Sequence, residues 1–277
     1  MNALEIKNLT KRYPGFTLED VSMTLPSGCI MGLVGENGAG KSTTIKLILG
    51  MLRRDGGSVR VLDGEDGKLN MEEIGVVLDE VGLPGAMNPV QIGKVTAGCY
   101  KQWNQNAYNA LLEKMNLPKN KAFKDFSKGM KMKLGLAVAL SHNAKLLILD
   151  EATSGLDPVA RDELLDMLNE FTRDETHSVL FSSHIVSDLE KICDYIAFLH
   201  KGKLMLMEEK DELLGQYVII RCAPEELRCV DPGSIIGKKE NAFGVEAILR
   251  RDAVMERMQV SPVSIEELFV FMAKEAR

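Results

Sequence analysis

The sequence predicts an α/β domain built on a largely parallel sheet, followed by a small α/β appendage, and three observations carry that prediction. An almost continuous apolar run, Cys29–Val34, ends in the glycine-rich stretch Gly35–Gly40 and gives way to a helical pattern over Lys41–Leu49. A second fully apolar run, Leu146–Leu149, ends in two acids, Asp150 and Glu151. Strand-type runs alternate with helical periodicity as far as Met207, the order expected of parallel strands joined by crossover helices.

The first strands are Leu4–Leu9, Phe16–Leu25 and Cys29–Val34, the last apolar on both faces as a buried parallel strand must be. Ser58–Leu62 and Ile74–Leu78 follow as strands. A mostly helical insert runs from about Val90 to His142, with breaks near Asn104 and around Pro118, and the helical subdomain is bounded at about 83–142. The strand Leu146–Leu149, a helix over Pro158–Phe171, the strand Val179–Ser182 and a short helix over Val186–Ile192 come next. Tyr195–Leu199 and Lys203–Met207 complete the first domain, assigned to 1–215. The appendage, 216–277, opens with a strand over Tyr217–Cys222 and a turn-rich stretch, Ala223–Ser234. It closes on a helix whose start, Ser264-Ile265-Glu266-Glu267, is a capping box.

The 277 residues are 45% hydrophobic and 27% charged, the balance of a globular protein that needs no disulfide or structural metal. A net charge of −6 gives no reason to expect nucleic acid as partner. The local cluster Lys128, Lys131 and Lys133 reads as a solvated helix face. Five cysteines, an odd and scattered set without a C-x-x-C pair, fit a reducing compartment. The N-terminus shows no signal-peptide pattern, and no apolar run approaches the ~20 residues needed to cross a bilayer.

The chemistry concentrates in two places. Gly35-Glu36-Asn37-Gly38-Ala39-Gly40-Lys41-Ser42 satisfies G-x-x-x-x-G-K-[ST] in its required context of strand, loop and helix, with Thr43 next in the helix. The glycines let main-chain N–H groups turn toward phosphates, Lys41 reaches the β- and γ-phosphates, and the Ser42 hydroxyl holds Mg²⁺. The other place is the strand end at Asp150 and Glu151. At the edge of a parallel sheet Asp150 can bind Mg²⁺ through water, and Glu151 can orient or deprotonate an attacking water.

Three further motifs complete a set. Phe126-Ser127-Lys128-Gly129-Met130 opens a helix, Ser154-Gly155-Leu156-Asp157 follows the acidic strand end, and Ser182-Ser183-His184 ends the next strand. In this order and spacing the five motifs resemble the ATP-binding subunits of ABC transporters over roughly residues 1–215. The stretch from Tyr100 to Pro158 is most similar to bacterial ABC-2-type exporter subunits. The resemblance implies a P-loop ABC ATPase domain with an antiparallel β subdomain and a helical subdomain beside the core sheet.

Roles carry over by the same resemblance. ATP and Mg²⁺ are the cofactors, and Lys41, Glu151 and His184 are the catalytic set, His184 sensing the γ-phosphate. Ser127, Lys128, Gly129 and Met130 form the signature that acts in trans, Ser127 and Gly129 being its phosphate-facing positions. Asp157 links the two active sites, and Tyr13 either stacks on adenine or is an ordinary strand-end tyrosine. Apart from the resemblance, lone histidines are usually structural, and His142, His177 and His200 take that reading. The implied partners are a second copy or a paralogue, packed head to tail, and a separate transmembrane permease met by the helical insert with Trp103 and the loop Asp79–Asn88. The implied location is cytoplasmic, on the inner face of the cell membrane.

Three departures stand out. The signature usually reads Leu-Ser-Gly-Gly-Gln, so Phe126, Lys128 and Met130 replace three of its residues. Ala152 stands where proline is usual. Asp79 occupies the place of a glutamine that normally meets Mg²⁺ and water; it is a hard oxygen ligand, an extra charge that weakens metal-free ATP binding, or a solvated loop acid. Two other functions fit the same residues: a soluble ABC ATPase acting on a non-membrane partner, and a nucleotide-binding regulatory module that does not hydrolyse. Neither the fused duplication nor the long coiled coil of such soluble ATPases is visible.

Overall fold

The computed structural model describes residues 1–241, 244–255 and 258–275. The chain divides into two compact units, Met1–Met207 and Glu208–Arg277, so the division falls ahead of the expected boundary after 215.

In the first unit β1 (Asn2–Tyr13) and β2 (Phe16–Pro26) form a hairpin closed by the Tyr13–Phe16 pair. Alternating burial along both strands puts one face inward, as period-two patterning requires. The strand β3 (Ile30–Val34) leads into α1 (Lys41–Ile48), and β4 (Gly56–Val61) returns to pair antiparallel with β1. The small sheet has the order β2-β1-β4.

The strand β5 (Ile74–Val77) precedes three helices, α2 (Pro89–Ala97), α3 (Gln105–Lys114) and α4 (Lys128–Leu140). Each starts on a side-chain cap: Asn88 with Gln91 in a capping box, Asn104, and Ser127. Tyr108 on α3 is fully buried and donates its hydroxyl to the Pro89 carbonyl at 2.9 Å, and burial raises its pKa. The chain continues through β6 (Leu146–Asp150), α5 (Pro158–Phe171), β7 (Ser178–Ser183), α6 (Val186–Ile192), β8 (Tyr195–His200) and β9 (Lys203–Glu209).

The main sheet has the order β5-β6-β7-β3-β8-β9, and its neighbouring strands from β5 to β8 pair in parallel. Every residue of β3, β6 and β7 is buried, which explains the apolar runs Ile30–Val34, Leu146–Leu149 and Val179–Phe181 within them. One core joins the two sheets through α1, with Leu4, Ile6, Leu18, Ile45, Ile148 and Leu180 among its members.

Register decides where the chemistry falls. Val34 lies opposite Ser183, and Asp150 opposite Ser182. The residues that follow these strand ends, Gly35, Glu151 and His184, therefore leave the sheet side by side, at the C-terminal edge where open α/β sheets bind ligands.

The second unit contains α7 (Lys210–Gln216), β10 (Tyr217–Cys222), α8 (Pro224–Leu227), β11 (Ile235–Asn241), β12 (Gly244–Arg250), β13 (Val260–Pro262) and α9 (Ile265–Glu275). Its antiparallel sheet has the order β11-β12-β10-β13. Val218, Ile220, Leu227, Val245 and Leu249 form a separate small core. The Ser264 capping box is made: Ser264 Oγ accepts from Glu267 N at 3.1 Å, and Glu267 Oε2 accepts from Ser264 N at 2.9 Å. The sequence reading contained neither α7 nor the hairpin of β11 and β12.

Candidate functional site

The loop between β3 and α1 is shaped by glycine. A Cβ on Gly35 would sit 2.4 Å from the Leu199 carbonyl, so no other residue fits without moving the backbone. Gly40 has φ +111° and caps α1 with no side-chain acceptor, which leaves the first N–H groups of the helix to an outside anion. Glu36, Asn37 and Gly38 form the exposed crest of the loop, Ala39 is buried beneath it, and Ser42 and Thr43 lie half-buried on the first turn.

Lys41 is 5% exposed. Its ammonium donates to the carbonyls of Gly35 at 2.7 Å and Glu36 at 3.3 Å, and lies 3.1 Å from Glu151 Oε1. The other Glu151 oxygen meets His184 Nδ1 at 2.6 Å. One carboxylate thus bridges the lysine of the loop and the histidine after β7, joining three residues singled out from three separate motifs.

Glu151 has φ +53°, an uncommon conformation for a residue with a side chain. Its N–H is held by both the carbonyl and the hydroxyl of Ser182, each at 3.1 Å. The same hydroxyl donates to Asp150 Oδ1 at 2.6 Å, on a carboxylate only 3% exposed. Ser182 therefore positions both acids, a role the sequence reading did not give it. A serine at the end of a neighbouring strand was the only available signal, and the register had to be known before it could be used.

The signature helix is arranged differently. Ser127 Oγ accepts from Met130 N at 3.3 Å, capping its own helix. Lys128 Nζ donates to Asp79 Oδ1 at 2.7 Å. Gly129 lies against Leu156, and a Cβ there would meet Leu156 Cδ2 at 3.3 Å. Asp157 caps α5, its Oδ1 accepting from Val159 N and Ala160 N at 3.1 and 3.0 Å. The Ala160 N–H leads the causes that hold the Asp157 carboxyl below its ordinary pKa.

Tyr13 ends β1 at 37% exposed, with the Lys11 ammonium 5.6 Å from its ring centroid. Phe16, its ring centroid 6.5 Å from that of Tyr13, approaches the loop itself: a Cβ on Gly40 would meet Phe16 Cζ at 3.1 Å. The sequence places Phe16 in a strand but suggests no role for it at the site. His142 stacks on Tyr100 with centroids 3.9 Å apart, and His177 on Phe171 at 4.4 Å. His200 is 5% exposed, with no hydrogen-bond partner on either ring nitrogen and Nδ1 4.0 Å from Glu36 Oε2.

With this geometry in hand, kinship is decisive. A lantibiotic transport ATP-binding protein of Streptococcus pyogenes, SrtF, is 36% identical over 211 residues, covering 75% of this chain and 91% of the relative. The chain belongs to the ABC transporter ATP-binding proteins. The family model described as ABC transporter matches residues 18–154. An uncharacterized ABC transporter ATP-binding protein of Bacillus subtilis, YhcH, is 34% identical over 285 residues, covering 96% of this chain and 91% of its own. A solved structure of the ATP-binding subunit of an ABC transporter superposes with a TM-score of 0.67 at 28% identity, covering 76% and 91% of the two chains.

ABC ATP-binding proteins bind ATP, and the site fits the metal that accompanies it. Among the described residues no group of three or more His, Cys, Asp or Glu is placed to hold a metal. Mg²⁺ needs no such cage, since it takes one or two protein oxygens and completes its shell with phosphates and water. Asp150, buried and oriented by Ser182, and the hydroxyl of Ser42 are oxygen donors of that kind. Asp79, which the sequence offers as a third ligand or as a loop acid, is engaged by Lys128. Among the described residues no helix is long and apolar enough to cross a membrane.

Proposed function

We propose that this chain hydrolyses ATP with Mg²⁺ and drives a separate membrane permease, most readily an exporter, from the cytoplasmic face. The observation that carries the reading is the Glu151 carboxylate, shared between Lys41 and His184 beside buried Asp150. A γ-phosphate offers Lys41 more negative charge than a carboxylate does, so its arrival draws Lys41 from Glu151 Oε1. Glu151 is then free to accept the proton of the attacking water, a contribution of about 10²–10⁴-fold. His184 keeps the other oxygen oriented. Ser42 and Asp150 would hold Mg²⁺, which neutralises charge on the transferred phosphoryl group.

One copy lacks donors on the far side of the γ-phosphate. Ser127 and Gly129, in the signature of a second copy or of a paralogue, supply them, so ATP joins the two subunits and hydrolysis lets them part. Asp157 faces that junction, and Tyr13 backs the adenine.

The permease meets an apolar groove of about 540 Å³ in the helical region, whose lining includes Met71, Leu83, Pro84, Met87, Val95 and Tyr100. Three of these come from the loop Asp79–Asn88. Trp103 is not among the lining residues; it donates to Gln105 and packs on Tyr108. A groove of this size accepts a short amphipathic helix from a membrane protein.

The test uses Glu151→Gln. The purified variant should bind ATP and hydrolyse it about 10²–10⁴-fold more slowly than the parent chain. With MgATP in a detergent extract it should copurify a polytopic membrane protein. Unchanged hydrolysis would remove Glu151 from the mechanism, and recovery of ribosomes, DNA or soluble assembly factors alone would replace the permease with a soluble partner.

A further inference from the structure

Lys128 stands between the two phosphate-facing positions of the signature, and its side chain touches three motifs at once. It starts α4, its stem lies over Gly155, where a Cβ would meet Lys128 Cδ at 3.4 Å, and its ammonium ends on Asp79. Lysine and aspartate are the two charges by which this chain departs from the usual pattern, and they are paired with each other. The contact is 2.7 Å between side chains 45% and 51% exposed, at the edge of a cleft of about 470 Å³ also lined by Glu80 and Lys131. A pair so exposed contributes little to the fold and exchanges readily for a stronger anion. A terminal phosphate, with more charge and more acceptor oxygens than a carboxylate, is such an anion.

We propose that Lys128 is an additional cation for the γ-phosphate of ATP held by the opposite copy, and that Asp79 is its internal competitor, retaining the ammonium until that phosphate arrives. This rests on the ATP-joined pair of copies proposed above. Asp79 then acts on closure through Lys128, which gives the two residues effects of opposite sign. Neutralising Lys128 weakens ATP-dependent pairing, and neutralising Asp79 strengthens it. Once Lys128 is gone, Asp79 has nothing left to hold.

The experiment measures the MgATP-dependent dimer by sedimentation across a concentration series, with Glu151→Gln as parent. Lys128→Met should raise the dimer dissociation constant about a hundred-fold, since a symmetric pair loses one hydrogen bond to a charged group, worth about ten-fold, at each of its two sites. Lys128→Arg should retain most of the pairing. Asp79→Asn should lower the constant several-fold on the same scale, and the double variant should match Lys128→Met. An unchanged Lys128→Met, a weaker dimer in Asp79→Asn, or an Asp79 effect that persists without Lys128 would each overturn the proposal alone. A parent that forms no dimer with MgATP would overturn the underlying reading and the proposal with it.

Discussion

Two helices of the first unit begin at positions implicated in phosphate binding, and they begin in opposite ways. The start of α1 is capped by Gly40, offers no side-chain acceptor of its own, and buries Lys41 to 5% exposure. The start of α4 is exposed, its first turn is capped by its own Ser127, and its lysine is held by Asp79. The first is preorganised: its N–H groups are aimed and its cation is fixed by carbonyls of the loop. The second is self-satisfied at both cap and cation, so a phosphate must compete with Ser127 Oγ and with Asp79, whereas at α1 only the contact of Lys41 with Glu151 must yield. Tight binding by one copy and conditional binding across two copies are the behaviours these starts support.

The sharpest way to break the comparison is at α1. Lys41→Ala should reduce hydrolysis by about 10²–10³-fold or more, because the lost group stabilises charge in a buried site, and MgATP affinity should fall with it. A titration with a fluorescent nucleotide checks this, and near-parental affinity would show that α1 is not the primary anchor. Gly40→Ala comes next. The substitution forces φ +111° on a residue with a Cβ and crowds Leu18 and Phe16 at 3.0 and 3.1 Å. A cost of about 1–3 kcal/mol is expected in denaturant unfolding, with weaker ATP binding.

At α4 the same experiments should give smaller numbers. Ser127→Ala should cost about 1 kcal/mol of stability, the value of an N-cap, and lower the melting temperature by roughly 2–4 °C. If Ser127 acts across a pair of copies, as proposed, its loss should slow hydrolysis at low protein concentration more than at high. Equal slowing at all concentrations would place Ser127 in its own site and dissolve the contrast.

The smallest effect concerns pH. Burial lowers the pKa of His142 below its ordinary 6.5, so the folded protein holds it neutral while the unfolded chain takes up a proton more readily. Its contribution to stability is complete above that ordinary value and is lost as pH falls through the lowered one. Acidification from about pH 7 to 5 should lower the melting temperature by a degree or two, and His142→Phe should flatten that segment of the profile.

What the sequence revealed follows from where the information lies. The glycine loop and the acid-ended strand were legible because phosphate chemistry fixes residue types at short spacing, and the buried strands because parallel pairing leaves no polar face. Ser182 was not legible as the residue that orients Asp150 and Glu151, because that depends on a register between strands 32 and 31 residues apart in these contacts. The link between Lys128 and Asp79 spans 49 residues and left no local trace. In the second unit, β11 carries Lys238, Lys239 and Glu240 at the edge of its sheet, and so lacks the apolar alternation that announces a strand. Neither the pairing with a second copy nor the permease contact could be drawn from periodicity; both came through family resemblance.

The Lys41–Glu151 contact also imposes an order of events. In the proposed mechanism the base that prepares water for attack is tied to the very group that must first receive the phosphate. Lysine cannot let go until a suitable anion is in its grasp, and the carboxylate cannot work until lysine lets go. On that mechanism the arrangement is an interlock: occupancy precedes activation, and the base stays engaged for as long as the site is empty.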